Sequence, residues 1–270
     1  MTANVLYERQ DAVAVIAINR PVRLNALDPA TRQDLIAALR CAADAPHVRA
    51  VVLIGEGRGF CVGHDLAAPD EDPDIFAVVR DTYNPVVRAI ARMDKPVIAG
   101  VNGPAVGAGM GLALACDLQV MADTAYLSCG FGKVGLVPDS GASTALVRAV
   151  GRSRAYEMAL SGRQISAPEA QNLGLVNRIV AVTQVRAEAT AWAHDLGAGP
   201  AAAMALTKRL LRTAEHRSLE SILDLEAFYQ GLAAQTPDHQ EGVVAFQERR
   251  TPRFAAESAN LPPPPPGISE

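Results

Sequence analysis

Two glycine-rich segments and one aspartate have the residue types and spacing that could do chemistry. The first segment, GEGRGFCVGHDL, occupies residues 55–66, and the second, VNGPAVGAGMG, occupies residues 101–111. Glycine lets the backbone approach a ligand closely, so each segment can offer a peptide N–H group to an oxygen of a bound molecule. Two such donors would form an oxyanion hole, and each could stabilise a developing charge by about 3 kcal/mol.

Other interpretations of the glycines are available. Each segment alone is also typical of a tight turn. The second segment could belong to a dinucleotide site, but Gly107, Gly109 and Gly111 do not have GxGxxG spacing. No acidic residue follows at the distance of about 20 positions that such a site requires.

The aspartate is Asp139, which directly follows Pro138 in the segment GFGKVGLVPDSG at residues 130–141. One interpretation is a helix N-cap, because aspartate is favoured there and its charge meets the positive end of the helix dipole. An apolar pocket would raise its pKa and a helix terminus would lower it, and the residues alone do not decide between them.

The elements that must position these segments alternate between strands and helices, which predicts an α/β core. Asp28 before Pro29 predicts the N-cap of a helix, and glycine-rich loops then follow predicted strand ends, where α/β proteins bind ligands. The predicted strands are 12–18, 49–54, 95–101 and 117–121, and the predicted helices of this half are the one after Asp28, 76–93, 107–116 and 140–150. Beyond Gly151 the pattern predicts helices only.

This organisation suggests three parts. We expect a core with the ligand site at residues 1–198, a helical region at 199–255, and a proline-rich tail at 256–270. The proline run cannot pack as a helix or central strand, so we expect the tail to be extended or disordered.

Composition limits the class of protein. Of the 270 residues, 49% are hydrophobic and 20% charged, as in ordinary soluble globular proteins. The net charge of −4 argues against nucleic acid as a partner. No apolar run is long enough to cross a membrane and residues 1–10 do not read as a signal peptide, so we expect a cytoplasmic protein. The cysteines and histidines are scattered, so we predict no metal and no redox cofactor.

The sequence resembles the crotonase (enoyl-CoA hydratase/isomerase) superfamily from residue 12 to about residue 254. Four motifs agree in order: Asn19-Arg20-Pro21 with Asn25-Ala26-Leu27, the segment 59–66, Asn102-Gly103 through Gly109 with Cys116-Asp117, and Gly135-Leu136-Val137-Pro138 with Gly151-Arg152. The resemblance implies a spiral of strand-strand-helix turns and a C-terminal helical trimerisation region. It also implies an acyl-CoA thioester substrate, with no cofactor beyond the coenzyme A of that substrate, and a homotrimer or dimer of trimers.

The resemblance also implies roles for individual residues. The oxyanion donors would be the backbone N–H groups of His64 and Ala108, and the His64 side chain need only line the pocket. Arg23 would lie near the coenzyme A phosphates, and residues 61–66 against adenine and pantetheine. The full expected substrate-binding set is Arg23, Ala26, Cys61, Gly63, Asp65, Leu66, Phe131, Pro138, Phe246 and Arg250, the last two contributed by the C-terminal helices.

The sequence departs from the hydratase pattern of that superfamily. Hydratases typically carry two glutamates at positions that match Gly111 and Phe131 here, and neither residue can transfer a proton. Asp139 matches the catalytic aspartate of the phenylacetate-pathway enoyl-CoA isomerase type and of 4-chlorobenzoyl-CoA dehalogenases. Dehalogenation is disfavoured because the single tryptophan, Trp192, is in the helical half.

We therefore expect an enoyl-CoA isomerase in which Asp139 shuttles the proton and Phe131 forms an apolar wall. An enoyl-CoA hydratase is the main alternative. A non-catalytic acyl-CoA-binding homologue or an RNA-binding member of the superfamily is disfavoured by the intact glycine loops and the acidic balance respectively.

Overall fold

A computed structural model describes residues 3–68, 72–255 and 261–262 of the chain. Its main sheet has six strands in the order β1-β2-β3-β4-β6-β9. Strands β1 and β2 form an antiparallel hairpin, and every other neighbouring pair is parallel. The strands are β1 (Val5–Gln10), β2 (Val13–Ile18), β3 (Ala50–Gly55), β4 (Val97–Val101), β6 (Leu118–Ala122) and β9 (Arg178–Val180).

The central strands are apolar throughout because both faces of the sheet are covered. Every residue of β2, β3 and β4 is buried, which is typical of parallel strands that pack under helices. Helix α1 (Pro29–Asp44) packs against β1 and β2, and a later helix (Val185–Gly197) packs across β2, β3, β4 and β6.

A smaller sheet carries the second half of the core. It consists of β5 (Ala105–Val106), β7 (Tyr126–Ser128) and β8 (Gln164–Ser166), with β7 between the other two. The helices of this layer are α4 (Ala108–Ala115), α5 (Ala142–Val150), α6 (Arg152–Ser161) and α7 (Ala167–Asn172). The small residues of α4 allow it to lie almost wholly inside the protein.

The predicted helix at residues 76–93 is divided into three pieces. A short helix α2 (Ile75–Val78) leads into a π-helical turn (Val79–Tyr83), and α3 (Asn84–Ala91) follows. Such π turns are uncommon and occur frequently at functional sites. Tyr83, the last residue of this turn, is buried.

The helices that end the described chain form a layer with its own small core. They are the helix at Val185–Gly197, here α8, then α9 (Ala201–Ala214), α10 (Leu219–Ala234) and α11 (Pro237–Glu248). Leu206, Leu225 and Tyr229 form a buried cluster separate from the main core. Helix α9 is fastened to the core by the ion pair of Lys208 with Asp117, whose charged atoms lie 2.7 Å apart.

The α/β prediction is confirmed, with corrections. The prediction of helices only beyond Gly151 is wrong, because β8 and β9 lie in that half and β9 completes the main sheet. Strand β1 was not predicted. Of the tail expected at 256–270, only residues 261–262 are among the described residues, so the prediction of disorder lies outside them. The three-part division and the trimerisation role of the C-terminal helices stay predictions.

Across the described ranges, no helix combines the length and the apolar character that crossing a membrane requires.

Candidate active site

A cavity of about 170 Å³, here called the loop cavity, lies where three loops meet. These loops follow β3, β5 and β7. The wall is apolar apart from the side chains of His64, Tyr83 and Asp139. Its lining residues are Val62, Gly63, His64, Leu66, Ile75, Val78, Val79, Tyr83, Val106, Gly107, Ala108, Gly130, Phe131, Val134, Leu136 and Asp139.

Two buried asparagines shape the first glycine loop. Asn25 has a φ of 60°, and its Nδ2 donates to the carbonyl oxygens of Glu56 and Gly59 at 3.0 and 2.7 Å. Asn102 Nδ2 donates to the carbonyl oxygen of Gly57 at 2.9 Å. Because these amides satisfy buried carbonyls that no strand or helix pairs, the loop can fold back under β3 without losing hydrogen bonds.

The two glycine loops lie backbone against backbone. A Cβ on Gly63, whose φ is 89°, would lie 2.9 Å from the carbonyl oxygen of Val106 and 3.3 Å from the peptide nitrogen of Ala108. A Cβ on Gly109 would lie only 2.0 Å from the carbonyl oxygen of Cys61. Glycine is therefore required at both positions by close packing, and the packing brings His64 and Ala108 to one cavity.

Ala108 is the first residue of α4, so its N–H has no acceptor within the helix and lies at the positive end of the helix dipole. The α4 N-cap, Gly107, makes no side-chain cap. This geometry suits an oxygen of a ligand in the loop cavity, since His64 and Ala108 both line it. The assignment of both N–H groups as oxyanion donors stays a prediction.

Asp139 lines the same cavity and is half-buried. Its Oδ1 accepts a hydrogen bond from the Ser140 hydroxyl at 2.8 Å. Burial raises the pKa of the Asp139 carboxyl, against the lowering effects of the Ser140 hydrogen bond and of His64. The alternative interpretation of Asp139 as a helix N-cap is wrong, because α5 begins at Ala142 and its N-cap is Gly141.

The two positions that carry glutamates in the hydratase pattern are Gly111 and Phe131 here, and both are tightly packed. A Cβ on Gly111 would lie 2.7 Å from the Cβ of Ser140, so a side chain there would displace the turn that carries Asp139. Phe131 is buried and its side chain lies in the wall of the loop cavity, as predicted.

A polar cluster beside the cavity was missed by the sequence analysis. The Arg32 guanidinium is buried, and its Nη1 lies 3.3 Å from Tyr83 Oη and 3.1 Å from the carbonyl oxygen of Leu27. Tyr83 Oη lies 2.9 Å from Nδ1 of His64. Burial raises the pKa of the Tyr83 phenol, so the hydroxyl keeps its proton. The signal in the sequence was the position of Arg32 on the apolar face of α1, one turn from Leu35.

The other predicted site residues divide into three groups. Gly63 and Leu66 line the loop cavity. Cys61, Ala26 and Asp65 are buried and are not among its lining residues: burial raises the pKa of the Cys61 thiol to about 12, and Asp65 accepts from Arg20 at 2.8 Å. Pro138 is half-buried beside Asp139 and Arg23 is exposed.

Phe246 and Arg250 are not among the residues of the loop cavity. Phe246 is 85% exposed on α11, and Arg250 pairs with Glu241 and Glu248. Their predicted contact with coenzyme A requires another subunit or a ligand that extends beyond the loop cavity, and it stays a prediction.

A second cavity, of about 110 Å³, lies beside Lys95 and Arg49. Lys95 Nζ donates to the carbonyl oxygens of Ala42, Ala43 and Ala45 at 2.7 to 2.8 Å, which terminates α1. Lys95 therefore has a structural role at the C-terminal end of α1. No group of three His, Cys, Asp or Glu side chains that could hold a metal occurs within 3–68, 72–255 and 261–262.

The family model for enoyl-CoA hydratase/isomerase matches residues 8–257 of this chain. The chain belongs to the enoyl-CoA hydratase/isomerase family. The crotonase-type fold is confirmed by the solved enoyl-CoA hydratase from Polaromonas sp. JS666, with a TM-score of 0.88 and 34% identity over 93% of this chain and 99% of that one. The predicted acyl-CoA class of enzyme is therefore correct.

Relatives within the family carry different activities in their names. The 1,2-epoxyphenylacetyl-CoA isomerase of Escherichia coli is 38% identical over 255 residues, which covers 93% of this chain and 97% of the relative. The 2,3-dehydroadipyl-CoA hydratase of the same organism is 34% identical over 252 residues, which covers 93% and 98%. Family membership thus leaves the choice between isomerase and hydratase to the site.

Proposed function

We propose that this family member is an enoyl-CoA double-bond isomerase. The observation that carries the proposal is the set of acidic side chains that line the loop cavity. Among the described residues that line it, Asp139 is the one carboxylate, and positions 111 and 131 hold glycine and phenylalanine. A hydration needs one group to activate water and another to protonate carbon, whereas a proton shuttle needs a single carrier.

In the proposed reaction, the backbone N–H groups of His64 and Ala108 donate to the thioester carbonyl oxygen. Asp139 removes a proton from C2 of a 3-enoyl thioester, the C2–H electron pair forms the C1–C2 double bond of a dienolate, and the carbonyl π pair moves onto the thioester oxygen. Asp139 then returns the proton to C4, where it bonds to the C3–C4 π pair. The C1–C2 pair shifts to C2–C3, and the carbonyl double bond re-forms as the negative charge leaves the oxygen. Each oxyanion donor would contribute about 3 kcal/mol to the enolate-like transition state.

The raised pKa of Asp139 suits this role. A carboxylate that is desolvated by an apolar wall binds a proton more strongly than one in water, so it is a better base toward a weakly acidic carbon. Phe131 and the valines of the wall would also limit water beside the dienolate.

The binding of coenzyme A remains part of the proposal. Arg23 is exposed at the end of the short 3-10 helix Pro21–Arg23. It lies two residues before Asn25, which supports the first glycine loop, and its guanidinium can contact a phosphate there. Large apolar side chains are exposed on the C-terminal helices, including Leu211, Leu219 and Phe246, and they favour the homotrimer or dimer of trimers.

The alternative function is an enoyl-CoA hydratase in which Asp139 acts with a loosely held water. It is supported by the name of the dehydroadipyl-CoA relative. The two functions differ in product mass, because hydration adds one water and isomerisation adds nothing.

The deciding experiment is therefore a panel of 2-enoyl and 3-enoyl-CoA thioesters, followed by mass spectrometry and ultraviolet absorbance. We expect 3-enoyl-CoA to give 2-enoyl-CoA of unchanged mass. A product heavier by one water, formed at a comparable rate, would favour the hydratase. Binding of the thioesters without turnover would identify a non-catalytic homologue.

A further inference from the structure

The side chain of Ser140 lies inside the protein and is hydrogen-bonded to Asp139. Ser140 is 1% exposed, and its Oγ lies 2.8 Å from Asp139 Oδ1. An ionised carboxylate only accepts hydrogen bonds, so the serine hydroxyl is the donor when Asp139 is charged. Burying a hydroxyl costs free energy unless it finds a partner, and here the partner is the carboxyl that the proposed reaction uses.

The backbone at position 140 would suit glycine better than serine. Ser140 has a φ of 52° and Gly141 a φ of 78°, so two successive residues are left-handed. Glycine adopts this region readily, whereas a residue with a Cβ is strained there. Strain of this kind occurs frequently at active sites, where the side chain that causes it is needed. The turn itself could form with glycine, so the serine side chain requires a separate explanation.

Packing fixes the direction of the Ser140 hydroxyl. A Cβ on Gly111 of α4 would lie 2.7 Å from the Cβ of Ser140, so the serine side chain cannot move toward α4. The turn is closed by the Ala142 N–H, which donates to the carbonyl oxygen of Asp139 at 2.9 Å. The hydroxyl therefore meets one oxygen of the Asp139 carboxyl. Within the described part of the chain, no donor is hydrogen-bonded to the other oxygen, Oδ2.

We propose that Ser140 is a positioning residue for the proton shuttle: its hydroxyl holds Oδ1 of Asp139, so that Oδ2 carries the proton. Oδ2 takes the proton from C2 with a lone pair as the C2–H pair passes into the dienolate, and this O–H bond breaks when the C3–C4 π pair takes the proton at C4. A fixed carboxyl keeps one oxygen aligned with both carbons, and a rotating one does not. This inference rests on the isomerase function proposed above and assigns the proton to one atom.

Three other titratable groups influence Asp139. His64 lies in the first glycine loop, Tyr83 in the π-helical turn, and Cys129 directly after β7. Burial raises the pKa of the Tyr83 phenol and raises that of the Cys129 thiol to about 11, so both keep their protons near neutral pH. His64 lowers the pKa of Asp139, as the Ser140 hydroxyl does. The variants below keep all three groups, so a difference between these variants reports on the Ser140 hydroxyl.

The first test titrates the Asp139 carboxyl in the ligand-free protein, by carbon-13 NMR with carboxyl-labelled aspartate. The Asp139 resonance is the one that is missing from Asp139→Asn. We expect its pKa to be about one pH unit higher in Ser140→Ala than in wild type, because the ionised carboxyl loses a donor. Ser140→Gly, which suits the backbone angle, should show the same shift even if Ser140→Ala folds poorly. Ser143→Ala, at an exposed serine of α5, is the control and should titrate as wild type does.

The second test measures how kcat/KM for the conversion of 3-enoyl-CoA to 2-enoyl-CoA depends on pH. This rate rises with pH as Asp139 ionises, so in Ser140→Ala the rise should move to higher pH by the same interval as the titration. At the plateau, kcat should fall about tenfold while KM stays within about twofold, because the carboxyl loses its orientation. Ser140→Cys keeps the shape and a weaker donor, so it should lie between wild type and Ser140→Ala.

The outcomes separate this inference from the function on which it rests. An Asp139 carboxyl that titrates alike in wild type, Ser140→Ala and Ser140→Gly would overturn the inference, whatever the activity of the enzyme. A shifted titration with unchanged kcat would also overturn it, because the hydrogen bond would then have no part in the proton transfer. Wild-type protein that leaves 3-enoyl-CoA unchanged would instead overturn the isomerase function, and with it the role of Ser140.

Discussion

Ser140 packs directly against Gly111 of α4: a Cβ on Gly111 would lie 2.7 Å from both the Cβ and the carbonyl oxygen of Ser140. Ser140 has a φ of 52°, in the left-handed region that residues with a side chain rarely adopt. The missing side chain at position 111 therefore sets the place of the turn that carries Asp139. The position that would hold a glutamate in a hydratase here supports the catalytic aspartate of the proposed isomerase.

The first prediction concerns this contact. Gly111→Ala should lower the free energy of unfolding by about 1–3 kcal/mol, because the added methyl group meets backbone that cannot move without displacing Asp139. The isomerase rate should fall even where the variant is fully folded, because the added methyl group displaces the Asp139 carboxylate. Urea unfolding and the isomerase rate at a temperature where the variant is folded measure the two effects.

Gly231→Ala is the matched control. Gly231 lies within α10, and a Cβ there would meet nothing within 4 Å. Alanine should therefore stabilise this helix by up to about 1 kcal/mol and leave the rate unchanged. A Gly111→Ala protein that behaves like Gly231→Ala would show that position 111 has room for a side chain.

A second prediction concerns Asn25, which joins the first glycine loop to the segment before α1. Asn25→Ala removes hydrogen bonds to Glu56 and Gly59 and places alanine at a φ of 60°. We expect a loss of about 3 kcal/mol in the free energy of unfolding and a higher KM for enoyl-CoA. Asn25→Gly tolerates the backbone angle, so its smaller loss measures the hydrogen bonds alone. Equal stability of both variants and wild type would contradict this account of the loop.

A third prediction follows from the raised pKa of Asp139. A carboxyl with a raised pKa in the folded state binds its proton more strongly there than in the unfolded state. Its contribution to stability is therefore present at low pH and is lost as the pH rises through the folded-state pKa. Asp139→Asn should be more stable than wild type at pH 7, and the difference should shrink as the pH falls. Urea unfolding at a series of pH values checks this, and two parallel curves would argue against it.

Elements with local signals were predictable from the sequence. Asp28 caps α1 as expected, since its Oδ1 accepts from the Thr31 N–H at 2.8 Å and Pro29 occupies the first helical position. The buried central strands were also predicted, because a strand covered on both faces is apolar throughout. Strands β8 and β9 have only three residues each and are formed by pairing with distant strands, so no local pattern marks them.

The candidate site was likewise predictable only where a local sequence signal marks it. The glycines identified the two loops, since close backbone contact tolerates no side chain. Arg32 and Tyr83 were missed because their meeting depends on how α1 and the π-helical turn pack, which sequence spacing does not encode. Whether the helix terminus or burial would control the pKa of Asp139 was likewise open until the start of α5 was located at Ala142.

The most direct test of proton transfer by Asp139 is the isomerase rate of Asp139→Asn with 3-enoyl-CoA. Asp224→Asn, on the exposed face of α10, is the control. We expect Asp139→Asn to lose about 100-fold or more in kcat while it still binds the thioester, because asparagine cannot carry the proton. Asp224→Asn should match the wild type. An Asp139→Asn enzyme with the full rate of double-bond migration would contradict the proposed role of Asp139 as the proton carrier.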